Sequence, residues 1–179
     1  MIFPIILFGQ DTYNAVDKRE KVVQDIGDVL QFAPTAASIC TLIILEDKQG
    51  SIQFLKSFAL SFGLTYALKF TIDKNRPIGR TDGLAFPSGH TSNAFQGASF
   101  LQRRYGWVYG IPAYLVASFV AYSRIHGVDH RHDGYDILAG AIIGIGSTYF
   151  FTKPYQKTQL EVSFNNDFNG FIIGINYKF

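Results

Sequence analysis

The stretch Tyr105–Ser123, YGWVYGIPAYLVASFVAYS, decides the fold: nineteen residues without a charge, bounded by Arg103 and Arg104 on one side and Arg124 on the other. A helix of about 20 apolar residues crosses the hydrocarbon core of a bilayer. This segment is therefore the strongest spanning candidate, with Pro112 tolerated near its start. Reading outward, Thr91–Arg103 predicts a helix before it, and the polar loop Arg124–Tyr135 precedes a further apolar helix over Asp136–Thr152. Val29–Leu45 carries no charge until the polar turn Glu46–Gly50, after which Ser51–Leu68 is apolar except for Gln53 and Lys56. These two segments predict an antiparallel helix pair.

The remaining segments fill in the architecture. Asp11–Asp28 mixes charges of both signs with Val22, Val23 and Ile26, the pattern of an amphipathic helix lying at an interface. The N-terminal run Met1–Gly9 is too short to span a bilayer and has neither the basic start nor the cleavage site of a signal peptide. Thr71–Gly89 is a polar loop too long for a simple connector, and such loops are usually functional. Thr158–Phe164 and Phe171–Phe179 alternate apolar and polar residues about an Asn-Asn-Asp-Phe-Asn-Gly turn and predict a β-hairpin.

Composition agrees with a membrane setting. Hydrophobic residues make up 47% and charged residues 17% of the 179-residue chain, below the roughly 25% charge of a soluble domain. Gly140 and Gly144, four apart, and Ala33, Ala36 and Ala37 are small residues of the kind that let helices approach closely in lipid. The expectation is one all-α, membrane-embedded helical bundle with a short C-terminal hairpin. Residues 1–28 form an interfacial segment, 29–152 the helical core and 153–179 the tail. A net charge of +2 without a long Lys/Arg tract argues against a nucleic-acid partner. The single cysteine, Cys40, lies in an apolar run and reads as a buried, inert thiol; one cysteine allows neither an intrachain disulfide nor a cysteine-based zinc site.

Helices that alternate in direction bring both polar loops to the same end of the bundle. The first supplies Lys69, Lys74, Arg76 and Arg80 and ends in Pro87-Ser88-Gly89-His90, immediately before a helix. A helix N-terminus behind a glycine offers free N–H groups and a partial positive charge, which together make an anion site. The second loop supplies Arg124, His126, His130, His132 and Asp136, so all four histidines of the chain fall in the two loops. Imidazoles beside several cations suit phosphoryl transfer: cations for the oxygens, imidazoles as nucleophile and acid. The loops contain no acidic cluster of the kind that holds magnesium, so neither a metal nor another cofactor is expected.

Lys69, six residues, then Arg76-Pro77; Pro87-Ser88-Gly89-His90; and Ser123-Arg124 followed by a histidine and an aspartate: in this order the three motifs resemble the signature of type 2 phosphatidic acid phosphatases. The stretch Leu68–Gly144, including Asp-Ile-Leu-Ala-Gly-Ala at Asp136–Ala141, is similar to bacterial members of that family, whereas the first thirty residues and the hairpin are hardly covered. The resemblance implies a helical bundle shared with vanadium haloperoxidases and a phosphatase acting on a phosphorylated membrane lipid, such as phosphatidic acid, phosphatidylglycerophosphate, polyprenyl pyrophosphate or lipid A. It also implies a multi-pass protein of a bacterial inner membrane with its site facing the periplasm. Lys69, Arg76 and Arg124 would hold the phosphate, helped by Ser88 and the Gly89 amide. A third-motif histidine oriented by Asp136 would attack phosphorus, and His90 would protonate the departing alcohol.

The nucleophile has two candidates. The family pattern places five residues between arginine and histidine and three between histidine and aspartate; His130 satisfies the first spacing and His132 the second. If the chain is already helical at His132, that residue shares a face with Asp136, so His132 is preferred and His130 is the alternative. Alone, His90 would read as a structural histidine at a helix start, and Lys74, Arg80 and Arg131 as solvated or headgroup-facing charges. Two functional alternatives remain: a vanadate-binding haloperoxidase-like enzyme using the same anion pocket, and a non-catalytic membrane scaffold.

Overall fold

A computed structural model describes residues 4–77, 83–127, 130–155, 159–167 and 170–178. Among these residues six helices come first: α1 (Pro4–Leu30), α2 (Ala33–Ile44), α3 (Lys48–Ile72), α4 (Gly89–Tyr105), α5 (Trp107–His126) and α6 (Gly134–Phe151). A hairpin follows, with β1 (Gln159–Asp167) antiparallel to β2 (Gly170–Lys178) and Val162 opposite Ile175. The strands take in Asn165, Asn166 and Asp167, which composition alone assigns to the turn; Phe168 and Asn169 lie outside the described residues.

Helix α4 is the axis of the bundle, packed by α2, α3, α5 and α6. Its Ala94, Ala98 and Leu101 meet Ala113, Ala117 and Val120 of α5, while Phe100 packs with Leu42 and Phe54. Small residues set the α4–α6 distance. A Cβ on Gly144 would stand 2.5 Å from the Ser92 carbonyl oxygen, and one on Gly140 2.6 Å from that of Ser88. The α6 backbone therefore lies directly on α4 at both positions.

Among the described residues, three segments are long and apolar enough to cross a membrane: Asp17–Ile44, Trp107–His126 and Gly134–Phe151. The bundle is inside out relative to a soluble one. Ser92, Gln96 and Ser99 of α4 are buried, while Val108 (84% exposed), Ile44 (78%) and Phe150 (77%) point outward, where hydrocarbon receives them. Cys40 follows the same logic and corrects the expectation of burial. Helix α2 turns Pro34, Ser38 and Leu42 inward, which leaves the thiol on the exposed face. Helix α1 also departs from a purely interfacial placement, since it continues to Leu30 and lies along α5. A Cβ on Gly27 would fall 1.9 Å from Ser123 Oγ, so the last turns of α1 press on the start of the second polar loop.

The end of the bundle away from that loop is held by a buried ion pair. Asp47 caps α3 by accepting from the Gly50 N–H at 2.8 Å, and it receives Arg104 Nε at 2.7 Å and Nη2 at 2.6 Å. Arg104 Nη1 then donates to the carbonyls of Lys153 and Pro154, tying the tail to α4.

Candidate active site

Two helix caps assemble the other end. Ser88 caps α4, its hydroxyl accepting from the Thr91 N–H at 3.4 Å and the Thr91 hydroxyl at 3.0 Å. Its own N–H donates to the Asp136 carbonyl at 2.9 Å, which joins the second motif to the start of α6. Asp133 and Asp136 form a reciprocal capping box, each carboxylate accepting from the other's N–H at 3.0 Å. The first loop reaches the same place: Lys74 Nζ donates to Asp133 Oδ2 at 2.5 Å and to Asp136 Oδ1 at 2.7 Å. Burial alone would lower the Lys74 ammonium, but the two carboxylates outweigh it and hold its pKa above the ordinary lysine value.

Between these caps lies a cavity of about 350 Å³, whose outer part is lined by Lys69, Arg76, Gly89, His90, Arg124 and His132, with Arg131 beside them. Residues contributed by three separate motifs thus surround one space. Lys69 Nζ donates to the Leu84 carbonyl at 2.6 Å, which folds the first loop back over the end of α3. Arg124 is almost completely buried: Nη1 donates to Asp28 Oδ1 at 2.5 Å, Nη2 to the Gln24 carbonyl at 2.8 Å and Nε to Ser123 Oγ at 3.2 Å. Ser88 is fully buried and its hydroxyl is taken up by the α4 cap, so it stands behind the cavity wall. Arg80 lies outside the described residues.

The structure separates the two candidate histidines. His132 lines the cavity, with Nδ1 3.5 Å from Asp136 Oδ2, a polar approach longer than a formed hydrogen bond. Helix α6 starts only at Gly134, so this approach comes from an extended lead-in and not from a shared helical face. His130 adopts φ +40°, and its Nδ1 donates to the Ile125 carbonyl at 2.8 Å; it does not line the cavity. His126 stacks on Tyr122 with ring centroids 4.2 Å apart and is likewise outside.

His90 Nε2 meets Asp28 Oδ1 at 2.9 Å, so one carboxylate oxygen serves both His90 and Arg124. Burial and then the Arg124 guanidinium push the His90 pKa down to about 4, against the opposing pull of Asp28. Burial also lowers His132, with Lys69 and Arg76 adding to the effect and Asp136 opposing it. Both imidazoles are therefore neutral near pH 7, and a phosphate dianion beside His90 would favour its protonated form.

Sequence reasoning missed Asp28 and Lys74 as members of this site. Asp28 stood in a mixed-charge helix where nothing distinguishes it from Asp17 or Asp25. For Lys74 a weak signal existed: it lies inside the first motif, five residues after Lys69.

A membrane-embedded helical bundle whose two polar loops enclose cations and two histidines defines a class of phosphate-handling membrane proteins. The chain belongs to the PAP2 superfamily, whose model matches residues 50–159. It is 42% identical over 91 residues to the lipid A 1-phosphatase of Porphyromonas gingivalis, covering 49% of this chain and 20% of that protein. The chain thus matches about a fifth of that relative's length. The crystal structure of Aquifex aeolicus LpxE shares the fold, with a TM-score of 0.59 at 21% identity, covering 79% of this chain and 92% of that one. A phosphatidylglycerolphosphate phosphatase of PAP2 type from Bacillus subtilis gives a TM-score of 0.48 at 21% identity, covering 79% and 83% respectively. Helix α1, which supplies Asp28, lies outside the residues matched by the family model.

Proposed function

We propose that the protein is a metal-independent phosphatase that removes a phosphate from a membrane lipid through a phosphohistidine. The observation that carries this reading is the gathering of His90, His132, Lys69, Arg76 and Arg124 around one cavity at the end of a membrane-embedded bundle. The similarity to a lipid A 1-phosphatase supports a phosphorylated lipid as substrate.

The residues divide the chemistry between them. Lys69, Arg76, Arg124 and the Gly89 N–H bind the phosphate oxygens and stabilise the charge they carry in the transition state. The ring nitrogen of His132 remote from Asp136 forms the bond to phosphorus while Asp136 faces its Nδ1. As the P–O bond to the lipid breaks, its electron pair goes to the departing oxygen, which takes the proton held by His90. His90, neutral again, then accepts a proton from water as that water attacks phosphorus. The N–P electron pair returns to His132, and inorganic phosphate leaves. The carboxylates nearby are engaged by cations: Asp28 by Arg124, and Asp133 and Asp136 by Lys74. That pairing supports a reading in which the cations, not a divalent metal, neutralise the phosphate. We place the cavity mouth on the periplasmic face of a bacterial inner membrane, in keeping with the family resemblance.

The test is phosphate release from phosphorylated lipids in detergent, with and without EDTA, and an alkaline quench to trap phosphohistidine. Turnover that survives EDTA, is blocked by vanadate and yields a base-stable phosphoprotein is expected. Loss on chelation that magnesium restores would overturn the mechanism. Vanadate-dependent bromide oxidation would favour the haloperoxidase-like alternative, and no phosphate release from any lipid the scaffold.

A further inference from the structure

The end of the bundle opposite the catalytic cavity carries a second hollow. Helix α4 closes at Tyr105, and Gly106, at φ +95°, turns the chain into α5 within one residue. The tail crosses beside this turn, where the Tyr155 N–H donates to the Arg104 carbonyl at 2.7 Å. Turn and tail enclose about 520 Å³, lined by Leu45, Gln102, Arg103, Tyr105, Tyr109 and Tyr155 among others. The membrane-capable segments reach this end at Ile44, Trp107 and Phe151, so the hollow lies where hydrocarbon gives way to headgroups. Trp107, Tyr109 and Tyr149 are exposed around it, as aromatic residues are at that level.

The two arginines at the hollow differ. Arg104 is fully engaged, with Nε and Nη2 on Asp47 and Nη1 on the carbonyls of Lys153 and Pro154. Arg103 is half-buried with its guanidinium carbon 4.9 Å over the Tyr149 ring, and only its Nε is committed, to the Thr152 carbonyl at 3.2 Å. No carboxylate among the described residues pairs with it. Gln102 is held beside it: a Cβ on Gly110 would stand 2.5 Å from the Gln102 Cβ, and Gln102 Oε1 accepts from the Tyr149 hydroxyl at 2.8 Å. That bond leaves the amide N–H groups of Gln102 to donate elsewhere. Among the described residues at this end, Lys48, Arg103, Arg104 and Lys153 stand against only Glu46 and Asp47, so the surroundings are basic.

We propose that this hollow binds the headgroup of an anionic phospholipid, with the Arg103 guanidinium and the Gln102 amide donating to its phosphodiester oxygens. A guanidinium offers paired N–H groups that match two oxygens of one phosphate, and basic pockets between membrane helices suit anionic headgroups. The occupant is a lipid and not a free anion because apolar surface continues from the hollow toward the bilayer centre. Ile44, Val108 and Phe150 are exposed, each next in sequence to a residue of the hollow or its rim, where acyl chains would lie. Arg103 stands fourteen residues from Gly89 along α4, ~21 Å at 1.5 Å per residue. The site is therefore separate from the catalytic cavity and does not depend on the reaction proposed there.

The test is native mass spectrometry with a thermal melt, on the full chain in neutral detergent with dioleoyl phosphatidylglycerol, dioleoyl phosphatidylcholine or inorganic phosphate added. The two lipids share a phosphodiester, but choline neutralises the second. One phosphatidylglycerol per chain should be retained and raise the melt, and neither of the other two should do so. Equal protection by inorganic phosphate would make this a free-anion site, and equal retention of phosphatidylcholine a site without charge recognition; either overturns the proposal. Arg103→Gln should weaken phosphatidylglycerol retention about tenfold, the loss expected for hydrogen bonds to a charged group. Arg103→Lys keeps the charge and supplies a second variant should the first not fold; without the paired N–H groups it should bind severalfold more weakly than wild type, and wild-type retention in it overturns the contact. Lys69→Gln, altered at the catalytic cavity, should retain the lipid. Loss in Lys69→Gln with retention in Arg103→Gln would place the lipid in the catalytic cavity and overturn the second site.

Discussion

His90 Nε2 and Asp28 Oδ1 stand 2.9 Å apart, linking the second motif to a helix that precedes the family-matched segment. The same oxygen receives Arg124 at 2.5 Å, so one carboxylate orients a proposed acid and a proposed phosphate ligand together. Removing its charge acts on both. Asp28→Asn is expected to lower kcat by about ten- to a hundredfold, the range of a general acid–base contribution partly lost. The sign on the pH profile follows from the opposing influences at His90, where Asp28 raises the pKa and burial and Arg124 lower it. Without the carboxylate His90 loses its proton at still lower pH, so the alkaline limb of kcat/KM should move toward acid. Asp28→Glu should recover part of the rate. An unmoved limb in the Asn variant would assign Asp28 a purely structural part.

The two third-motif histidines are separable by substitution. His132→Ala should abolish the trapped phosphohistidine, since His132 is the one of the pair that lines the cavity. His130→Ala should retain measurable turnover but lose stability, because it gives up the bond to the Ile125 carbonyl and leaves alanine at φ +40°. His130→Asn, which tolerates the left-handed region, should be the more stable variant in a thermal melt. Retention of the phosphoprotein in His132→Ala, with loss in His130→Ala, would transfer the nucleophile to His130.

Lys74 neutralises the carboxylate that faces His132. Lys74→Met should cut kcat by about tenfold and Lys74→Arg should restore most of it, in line with the worth of ~1.5–3 kcal/mol for hydrogen bonds to charged groups. With the ammonium gone, Asp136 acts more strongly on His132 and raises its pKa, so the acid limb of the pH profile moves to higher pH. A fall in rate with that limb unmoved would mean that Lys74 serves only to hold the loop.

The Asp47–Arg104 pair predicts stability without activity. Arg104 is fifteen residues from Gly89 along α4, a distance of ~22 Å at 1.5 Å per residue. Arg104→Met leaves Asp47 buried without its cation, which costs about 3–5 kcal/mol. The melting temperature in detergent should fall sharply, while turnover per folded molecule at low temperature stays near wild type. A selective loss of turnover with an unchanged melt would contradict this assignment.

Much of the bundle is legible in the chain because charge and apolarity alternate in long blocks. The charge-free stretch Tyr105–Ser123 falls in α5 from Trp107 on, with Tyr105 closing α4, and Pro87-Ser88-Gly89 marks the start of α4 because a serine cap before a helix is a local event. Loop contents are local as well, so Lys69, Arg76, His90, Arg124 and His132 could be picked out as a group once the loops were put on one side. What depends on which face a helix turns was not legible. Cys40 lies in an apolar run, but in lipid apolar residues are as much at home outside as inside, so composition could not tell the exposed face of α2 from its buried one. The partnership of Asp28 with His90 and Arg124 joins positions 62 and 96 residues apart, and Lys74 reaches Asp136 across another 62. Such pairings carry no trace in spacing; they exist only because α1 packs along α5 at Gly27 and the first loop folds over the cap of α6. The sequence by itself determined a membrane bundle with its chemical groups at one end. The tertiary structure alone decided how those groups are charged and aimed, because hydrogen bonding and burial depend on contacts between helices.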